Sequence, residues 1–374
     1  MMSKSASFNL IWGTTLLADQ VYESLPNAEK GTVIFTDNNP EKWGMTYHDR
    51  PVYPPEKAFE FLKTGAIGKV YMGVRVYNYQ AIYSQIRASV GEGFEVKLYA
   101  LNMDGEFELL DFSVGSKPIL NYIELDAIRT CNLNCRGCFH FSNLETAPQI
   151  YTREALEKDF HRLSMLFESV RLIRVMGGEP LLNPHLTDLL AVINGFFPKT
   201  RLAVVSNGLL VSKISDELAE FMGGRVEFNI SPYEVTMPLM DDIRRFCRDK
   251  GIKVITEAND RDSFLKRIAL DKRSREMTDD YFRCCTMKGC TTLCKGRFYH
   301  CALEAYISTF NQKYGTEFPE DTGISIYEVK TGQEIIDYLS RPSALCRYCV
   351  EPVAVDWKVG KNKQDALLSD WIVE

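Results

Sequence analysis

Cys131-Asn132-Leu133-Asn134-Cys135-Arg136-Gly137-Cys138 sets three cysteines three and then two residues apart, directly after the apolar run from Tyr122 to Ile128. Three thiolates at this separation can hold three irons of a cubane cluster and leave the fourth iron without a protein ligand. An open iron is a place where a small molecule can be bound and changed. Zinc is the competing reading of close cysteines, but a zinc ribbon asks for a second knuckle of matching spacing, and the next hundred residues contain none.

Downstream, Leu172 to Met176 reads as a short buried strand that runs into Gly177-Gly178-Glu179-Pro180. Glycines let a main chain approach a ligand closely, and a carboxylate suits an ammonium group. Leu202 to Val205 ends in Ser206-Asn207-Gly208, and Val226 to Ile230 ends in Ser231-Pro232. Either ending could be plain turn chemistry. Together, the cysteine spacing and Gly-Gly-Glu-Pro resemble the radical S-adenosylmethionine (SAM) superfamily. That resemblance implies an α/β fold, a partial (β/α)6 TIM-like barrel with the cysteines after its first strand. It also implies that Gly177, Gly178 and Glu179 meet the methionine group of SAM, with Ser206, Asn207 and Ser231 at neighbouring strand ends. In that family an aromatic residue usually precedes the third cysteine. Here Gly137 stands there, and Phe139 or Phe141 is expected to supply the adenine contact.

A length of 374 residues exceeds one barrel core and suggests two or three domains. Apolar content of 45% and charged content of 25% are those of an ordinary globular protein. The apolar stretch Leu10 to Leu17 is interrupted by Gly13 and Thr14, so neither a signal peptide nor a membrane span is expected. Eleven cysteines without a secretion signal point to metal ligation in the reducing cytoplasm. A net charge of −6 argues against nucleic acid as the main partner.

Before the cysteines, Phe8 to Trp12 enters Gly13-Thr14-Thr15, a helical pattern spans Leu16 to Leu25, and Thr32 to Phe35 ends at Asp37-Asn38-Asn39-Pro40. This is the order of a βαβ unit, although only Gly13 stands where a dinucleotide fingerprint would spread three glycines. Pro51 to Glu56 then leads into a helix through Leu62, Lys69 to Val74 is a strand, Tyr79 to Ala88 a helix, and Gly93 to Tyr99 a further strand. The Asp-Asn-Asn-Pro turn and the segment Pro51 to Glu56 resemble the Rossmann-like amino-terminal domain of bacterial nucleotide-sugar acetyltransferases. The resemblance implies a nucleotide or nucleotide-sugar near Gly13, Thr14 and Asp37, within residues 1–112. A scaffold or dimerisation module is the alternative. Asp111 to Pro118 reads as the linker.

Residues 119–275 repeat strand and helix as a barrel requires. Thr152 offers a hydroxyl cap to a helix reaching about Phe167, and His185 to Phe196 is a second helix. Cys247, on a helix from Met240 to Lys250, reads as a core thiol. Residues 276–374 hold Cys284, Cys285, Cys290, Cys294, Cys301, Cys346 and Cys349. Gly296-Arg-Phe-Tyr-His-Cys301 and Cys346-Arg-Tyr-Cys349 resemble the hairpin and closing pair of SPASM and twitch extensions, small cysteine-rich iron–sulfur domains of radical SAM enzymes. This implies an auxiliary [4Fe–4S] cluster on Cys290, Cys301, Cys346 and Cys349, with Cys285 as substitute for Cys290. No cysteine follows Cys349, so the one-cluster twitch type fits, while zinc on four of the seven stays open.

The resemblance carries an activity with it. An external donor such as flavodoxin or ferredoxin would reduce the first cluster, SAM would be cleaved to a 5′-deoxyadenosyl radical, and the radical would take hydrogen from a substrate. The expected substrate is a small molecule, a carbohydrate or nucleotide-linked sugar, which would be oxidised or epimerised. A ribosomally made peptide is the second class. Peptide maturases, however, usually carry a winged-helix-like domain where this chain has its Rossmann-like one. No catalytic side chain is assigned.

Overall fold

The computed structural model describes residues 8–75, 78–91, 96–101, 106–110, 117–256, 263–267, 270–276, 282, 285, 287–321, 323–350 and 353–373. The expected linker thus lies largely outside the described residues. The chain divides into two compact units, residues 1–115 with 283–288 and residues 116–282 with 289–374.

The first unit is a seven-stranded sheet built from β1 (Phe8–Trp12), β2 (Val33–Thr36), β3 (Thr46–Tyr47), β4 (Arg50–Tyr53), β5 (Ile67–Met72), β6 (Leu98–Leu101) and β7 (Phe107–Leu110). Its order is β3-β4-β2-β1-β5-β6-β7, parallel from β4 to β6 and closed at each end by an antiparallel hairpin strand. Central strands covered on both faces read as unbroken apolar runs, and every residue of β2 is buried. The segment around Pro51 does more than lead into a helix. Val52 is buried beside Phe35, and that contact adds β4 to the sheet. The chain leaves β1 toward β2 and later returns on its other side as β5. The carboxyl ends of β1 and β5 therefore flank a switch point, where open sheets of this kind hold ligands.

In the second unit, β8 (Ile119–Ile128), β9 (Ser169–Gly177), β10 (Arg201–Ser206), β11 (Val226–Ile230) and β12 (Val254–Thr256) lie side by side in chain order, all parallel. The helices Arg153–Leu166, Leu186–Phe196, Asp216–Met222 and Met240–Asp249 alternate with them. Thr152 caps the first helix as expected, its hydroxyl accepting the Ala155 N–H at 3.3 Å. Side chains alternate along a strand, so one face presents Ile123, Leu125, Ile173, Val175, Leu202, Val204 and Phe228 to the helices as one core. Cys247 belongs to that core, 1% exposed.

β13 (Ser263–Arg267) pairs antiparallel with β17 (Val353–Asp356). β14 (Thr292–Cys294) lies parallel to β8 on its other edge, followed by antiparallel β15 (Arg297–Tyr299) and β16 (Ile324–Ser325). Lys295 and Gly296, with φ of +49° and +71°, make the tight turn between β14 and β15, the hairpin expected around Gly296. The cysteine-rich segment thus extends the same sheet, and the sixth parallel strand among the described residues stands beside β8. Helix Ala302–Tyr314 closes a further core, in which Phe141, Tyr306, Phe310 and Trp371 meet.

Candidate functional site

The loop after β8 is held against the end of β9 by backbone contact. Gly178 N–H donates to Ile128 O at 2.8 Å and Glu179 N–H to Thr130 O at 3.0 Å. A Cβ on Gly178 would stand 2.0 Å from Thr130 O, and one on Gly177, whose φ is +125°, 2.3 Å from Ile128 O. The paired glycines therefore let the cysteine loop lie directly on the strand end.

Glu179 is fully buried, and its carboxylate binds the chain itself. Oε1 accepts Leu181 N–H at 3.1 Å and Ser206 O–H at 2.9 Å, while Oε2 accepts Asn207 N–H at 2.9 Å. Burial pushes this carboxyl above its ordinary range, and those three donors oppose the push. The Asn207 side-chain amide reaches on to Asn132 Oδ1 at 2.7 Å and to Cys131 Sγ at 3.7 Å. Half-buried Ser231 donates its N–H to Ser206 O at 3.0 Å. Asn207 thus links Glu179 to the cysteine loop, while Ser206 and Ser231 meet each other at the neighbouring strand ends.

The three cysteines are buried or half-buried thiols. Burial pushes Cys131 up to about 12 and raises Cys135 and Cys138, and Cys135 is raised further by Cys138 and Cys131 beside it. Buried thiolates crowded together need positive charge, and irons bound one to each sulfur supply it. Among the described residues no three metal-binding side chains converge on a single ion position. A cubane does not ask for that, because each thiolate takes its own iron. Phe141 does not take the adenine role. It is fully buried, with its ring 5.1 Å from Phe310 and 5.8 Å from Trp371. Phe139 is partly buried on the same core.

Sequence patterns missed the face of the sheet opposite the helices. It carries Tyr122, Glu124 and Asp126 of β8, Arg174 of β9, and Glu227 and Asn229 of β11, by the registers Glu124↔Arg174 and Val205↔Asn229. Glu124, Asp126 and Asn229 are 4–6% exposed. Tyr122 O–H donates to Glu124 Oε1 at 2.7 Å, and burial pushes Glu124 up. Glu227 is neutralised by Arg201 at 2.6 Å. His140, from the cysteine loop, lies 3.1 Å from Asp126 Oδ2, so the loop and this face are continuous. Asn229 Oδ1 is buried without a hydrogen-bond partner among the described residues. The signal in the sequence was the polar residue at every second position of an apolar strand, Tyr122, Glu124, Asp126.

Of the second cysteine group, Cys290 lies just before β14, Cys294 is its last residue, Cys301 precedes helix Ala302–Tyr314, and Cys346 and Cys349 share one turn, with Cys349 N–H donating to Cys346 O at 3.3 Å. Cys294, Cys301 and Cys349 pack on the Phe141–Trp371 core. Cys285 belongs to the first unit. In that unit Gly13, Thr14 and Asp37 do meet. Asp37 Oδ2 accepts the Thr14 N–H at 2.9 Å and its O–H at 2.6 Å, and Oδ1 accepts Asn39 N–H at 2.9 Å. The carboxylate is engaged in holding the two loops together.

Among the described residues no helix is long and apolar enough to cross a membrane. Residues 126–264 match the family model described as the Radical SAM superfamily. A GTP 3',8-cyclase of Helicobacter pylori is 28% identical over 119 residues, 30% of this chain and 35% of that protein. A GTP 3',8-cyclase of Trichodesmium erythraeum is 33% identical over 119 residues, 30% and 34% of the two chains. The chain thus spans about a third of the length of these curated relatives. Among solved structures, BtrN in complex with AdoMet and 2-DOIA is 16% identical with a TM-score of 0.40, covering 63% of this chain and 94% of that one. Streptococcus suis SuiB bound to S-adenosylmethionine is 14% identical with a TM-score of 0.31, covering 37% and 33%. This chain therefore contains a radical SAM domain at residues 126–264, the domain of a family of enzymes that work with a [4Fe–4S] cluster and SAM.

Proposed function

We propose that this chain is a radical SAM enzyme that draws a hydrogen atom from a small hydroxylated substrate, a carbohydrate or nucleotide-linked sugar, with net oxidation or epimerisation. One observation carries the reading. The sheet face beside the cysteine loop bears Glu124, Asp126, Arg174 and Asn229 where an apolar floor could stand, and the Asn229 carbonyl oxygen is buried without a partner among the described residues. Such a face suits hydroxyl and amine groups, since buried polar atoms seek partners.

In this reading residues 119–275 are a partial (β/α)6 barrel and Cys131, Cys135 and Cys138 hold the cluster. When bound, the cluster and SAM supply the radical chemistry, and the protein supplies orientation and exclusion of water. Gly177 and Gly178 seat the cysteine loop, Glu179 fixes the ends of β9 and β10, and Asn207 and Ser231 line the SAM side. Arg174 and the two carboxylates orient the substrate. Within residues 276–374, Cys290, Cys301, Cys346 and Cys349 form a twitch-like auxiliary [4Fe–4S] site, able to take the electron that an oxidation releases. Residues 1–112 hold a nucleotide at Gly13, Thr14 and Asp37, a Rossmann-like role favoured by the β1/β5 switch point. An external flavodoxin- or ferredoxin-type donor supplies the electron.

The test begins with anaerobic reconstitution, which should give close to eight iron and eight sulfide per chain by the arithmetic of two cubanes. The holoprotein with SAM and reductant is then offered sugars, nucleotide-sugars, GTP and peptides, GTP because the curated relatives are named for it. A rise in 5′-deoxyadenosine with a sugar or nucleotide-sugar is expected. A rise with peptide alone or with GTP alone would overturn the substrate assignment.

A further inference from the structure

Helix Ala302–Tyr314, from the cysteine-rich segment, is pinned to the chain that leaves β8. The Arg129 guanidinium donates to Thr309 Oγ1 at 3.0 Å and pairs with Glu145, and the Thr309 hydroxyl donates to Glu145 Oε1 at 3.1 Å. Tyr306 stands three residues before Thr309, on the same face of the helix. The Arg129 guanidinium carbon lies 3.9 Å from the centroid of its ring, and the His140 ring stands 6.2 Å away. His140 in turn meets Asp126 Oδ2 at 3.1 Å. Tyr306 is thereby fixed beside the polar face of the sheet, near the end of β8.

Three polar atoms of this group are buried without a partner. Tyr306 is 1% exposed and Asp126 6%, and among the described residues the Tyr306 hydroxyl, Asp126 Oδ1 and Arg129 Nε all lack a hydrogen bond. Burial, and then the Asp126 charge, raise the Tyr306 phenol well above its ordinary value, so the O–H keeps its proton, yet no hydrogen bond of ordinary geometry joins the two. Buried polar atoms are nearly always paired, and a set left unpaired by the chain calls for a partner from outside it. The chemistry of the set selects that partner. The phenol O–H and the Arg129 Nε–H donate, while the carboxylate oxygen accepts. A hydroxyl both accepts and donates, so one hydroxyl satisfies Tyr306 and Asp126 together. An ammonium only donates and a phosphate oxygen only accepts, so neither does.

We propose that Tyr306 is a specificity-determining residue of the substrate site, its phenol donating to a substrate hydroxyl whose own hydrogen Asp126 Oδ1 accepts, with Arg129 Nε donating to a neighbouring substrate oxygen. This deepens the reading of a hydroxylated small-molecule substrate and rests on it. The cysteine-rich segment then completes the substrate site directly, apart from any cluster it holds. Removing one partner of a buried neutral hydrogen bond weakens binding by about tenfold, and a site built around a hydroxyl rejects still more strongly a ligand that lacks it.

The test uses the reconstituted holoprotein with SAM and reductant, reading 5′-deoxyadenosine against the concentration of glucose, glucosamine, UDP-glucose and UDP-glucosamine, and then of the monodeoxy analogues of whichever is accepted. Wild-type protein that answers to none of the four refutes the substrate reading itself, and this assignment with it, a failure distinct from that of Tyr306 alone. With one monodeoxy analogue the wild-type KM is expected to rise by about tenfold or more. Tyr306→Phe, which keeps the ring under Arg129, is expected to raise KM for the parent by about tenfold and to leave KM for that analogue at its wild-type value, since the missing bond is the same. An unchanged KM for the parent overturns the proposal and leaves a resident water as the partner. Equal losses for the parent and every analogue also overturn it, and leave the phenol a packing role. Should Tyr306→Phe fail to take up iron, Asp126→Asn is expected to shrink the discrimination between parent and analogue, and full discrimination in that variant overturns the proposal.

Discussion

Glu179 and Asn207 are joined across two strand ends, Oε2 of the buried carboxylate accepting the Asn207 backbone N–H at 2.9 Å. Because the Asn207 side chain continues to Asn132 and Cys131, the carboxylate positions the cysteine loop from behind.

Glu179→Ala leaves the Leu181 and Asn207 N–H groups and the Ser206 hydroxyl without their acceptor. Buried donors to a charged group cost their desolvation when orphaned, so a loss of about 3 kcal/mol is expected in urea unfolding of the apoprotein. A loss below about 1 kcal/mol, the scale of one ordinary hydrogen bond, would mean the carboxylate does not hold these strand ends.

Gly178→Ala sets a methyl carbon 2.0 Å from Thr130 O, where backbone must move. Overpacking of this kind is expected to cost about 3 kcal/mol and, by shifting the loop, to lower iron uptake at Cys131, Cys135 and Cys138. Gly195, on helix Leu186–Phe196, has open space around its would-be Cβ. Ala there should instead stabilise by about 0.5 kcal/mol. Equal melting temperatures for the two variants would remove the steric argument.

In the first unit, Glu29 accepts Lys69 Nζ at 3.0 Å, Asn9 Nδ2 at 3.0 Å and Tyr71 O–H at 2.9 Å. Partial burial opposes ionisation, but these donors prevail and hold the carboxyl below its ordinary value of 4.5. The unfolded chain therefore takes up this proton at higher pH than the folded one. Stability from the cluster is present above about pH 4.5 and is lost as pH falls through the lower folded value. Glu29→Gln should flatten the acid limb of urea midpoints between about pH 3 and pH 6, the window this linkage sets. Parallel limbs for the two proteins would contradict the assignment.

Cys247 is a core group, not a ligand, and burial pushes its thiol up to about 11. Cys247→Ser buries a hydroxyl among Ile243, Met222 and Phe228 and should cost about 2 kcal/mol. Its iron content should equal that of wild type. A missing cluster's worth of iron would make it a ligand after all.

What the sequence determined by itself is what local chemistry can encode. The spacing of Cys131, Cys135 and Cys138, the Gly-Gly-Glu-Pro turn, the Thr152 cap, the Lys295-Gly296 hairpin and the strand runs β1, β2, β5 and β8 to β12 are set by residues a few positions apart. Ligand spacing, capping and side-chain alternation all act over that range.

Tertiary structure alone decided the rest, because the partners are far apart in the chain and each residue is ordinary by itself. Nothing near Thr292 says that it will lie beside Glu124, and nothing in Lys358 to Gly360 says that it will pair with Asn134 to Arg136. Phe141 looked available for a ligand until Phe310 and Trp371 enclosed it. Glu124, Asp126, Arg174 and Asn229 became one polar face only when parallel pairing set their strands in register. Burial and pairing are properties of the assembled sheet, and they turned scattered polar residues into a candidate site.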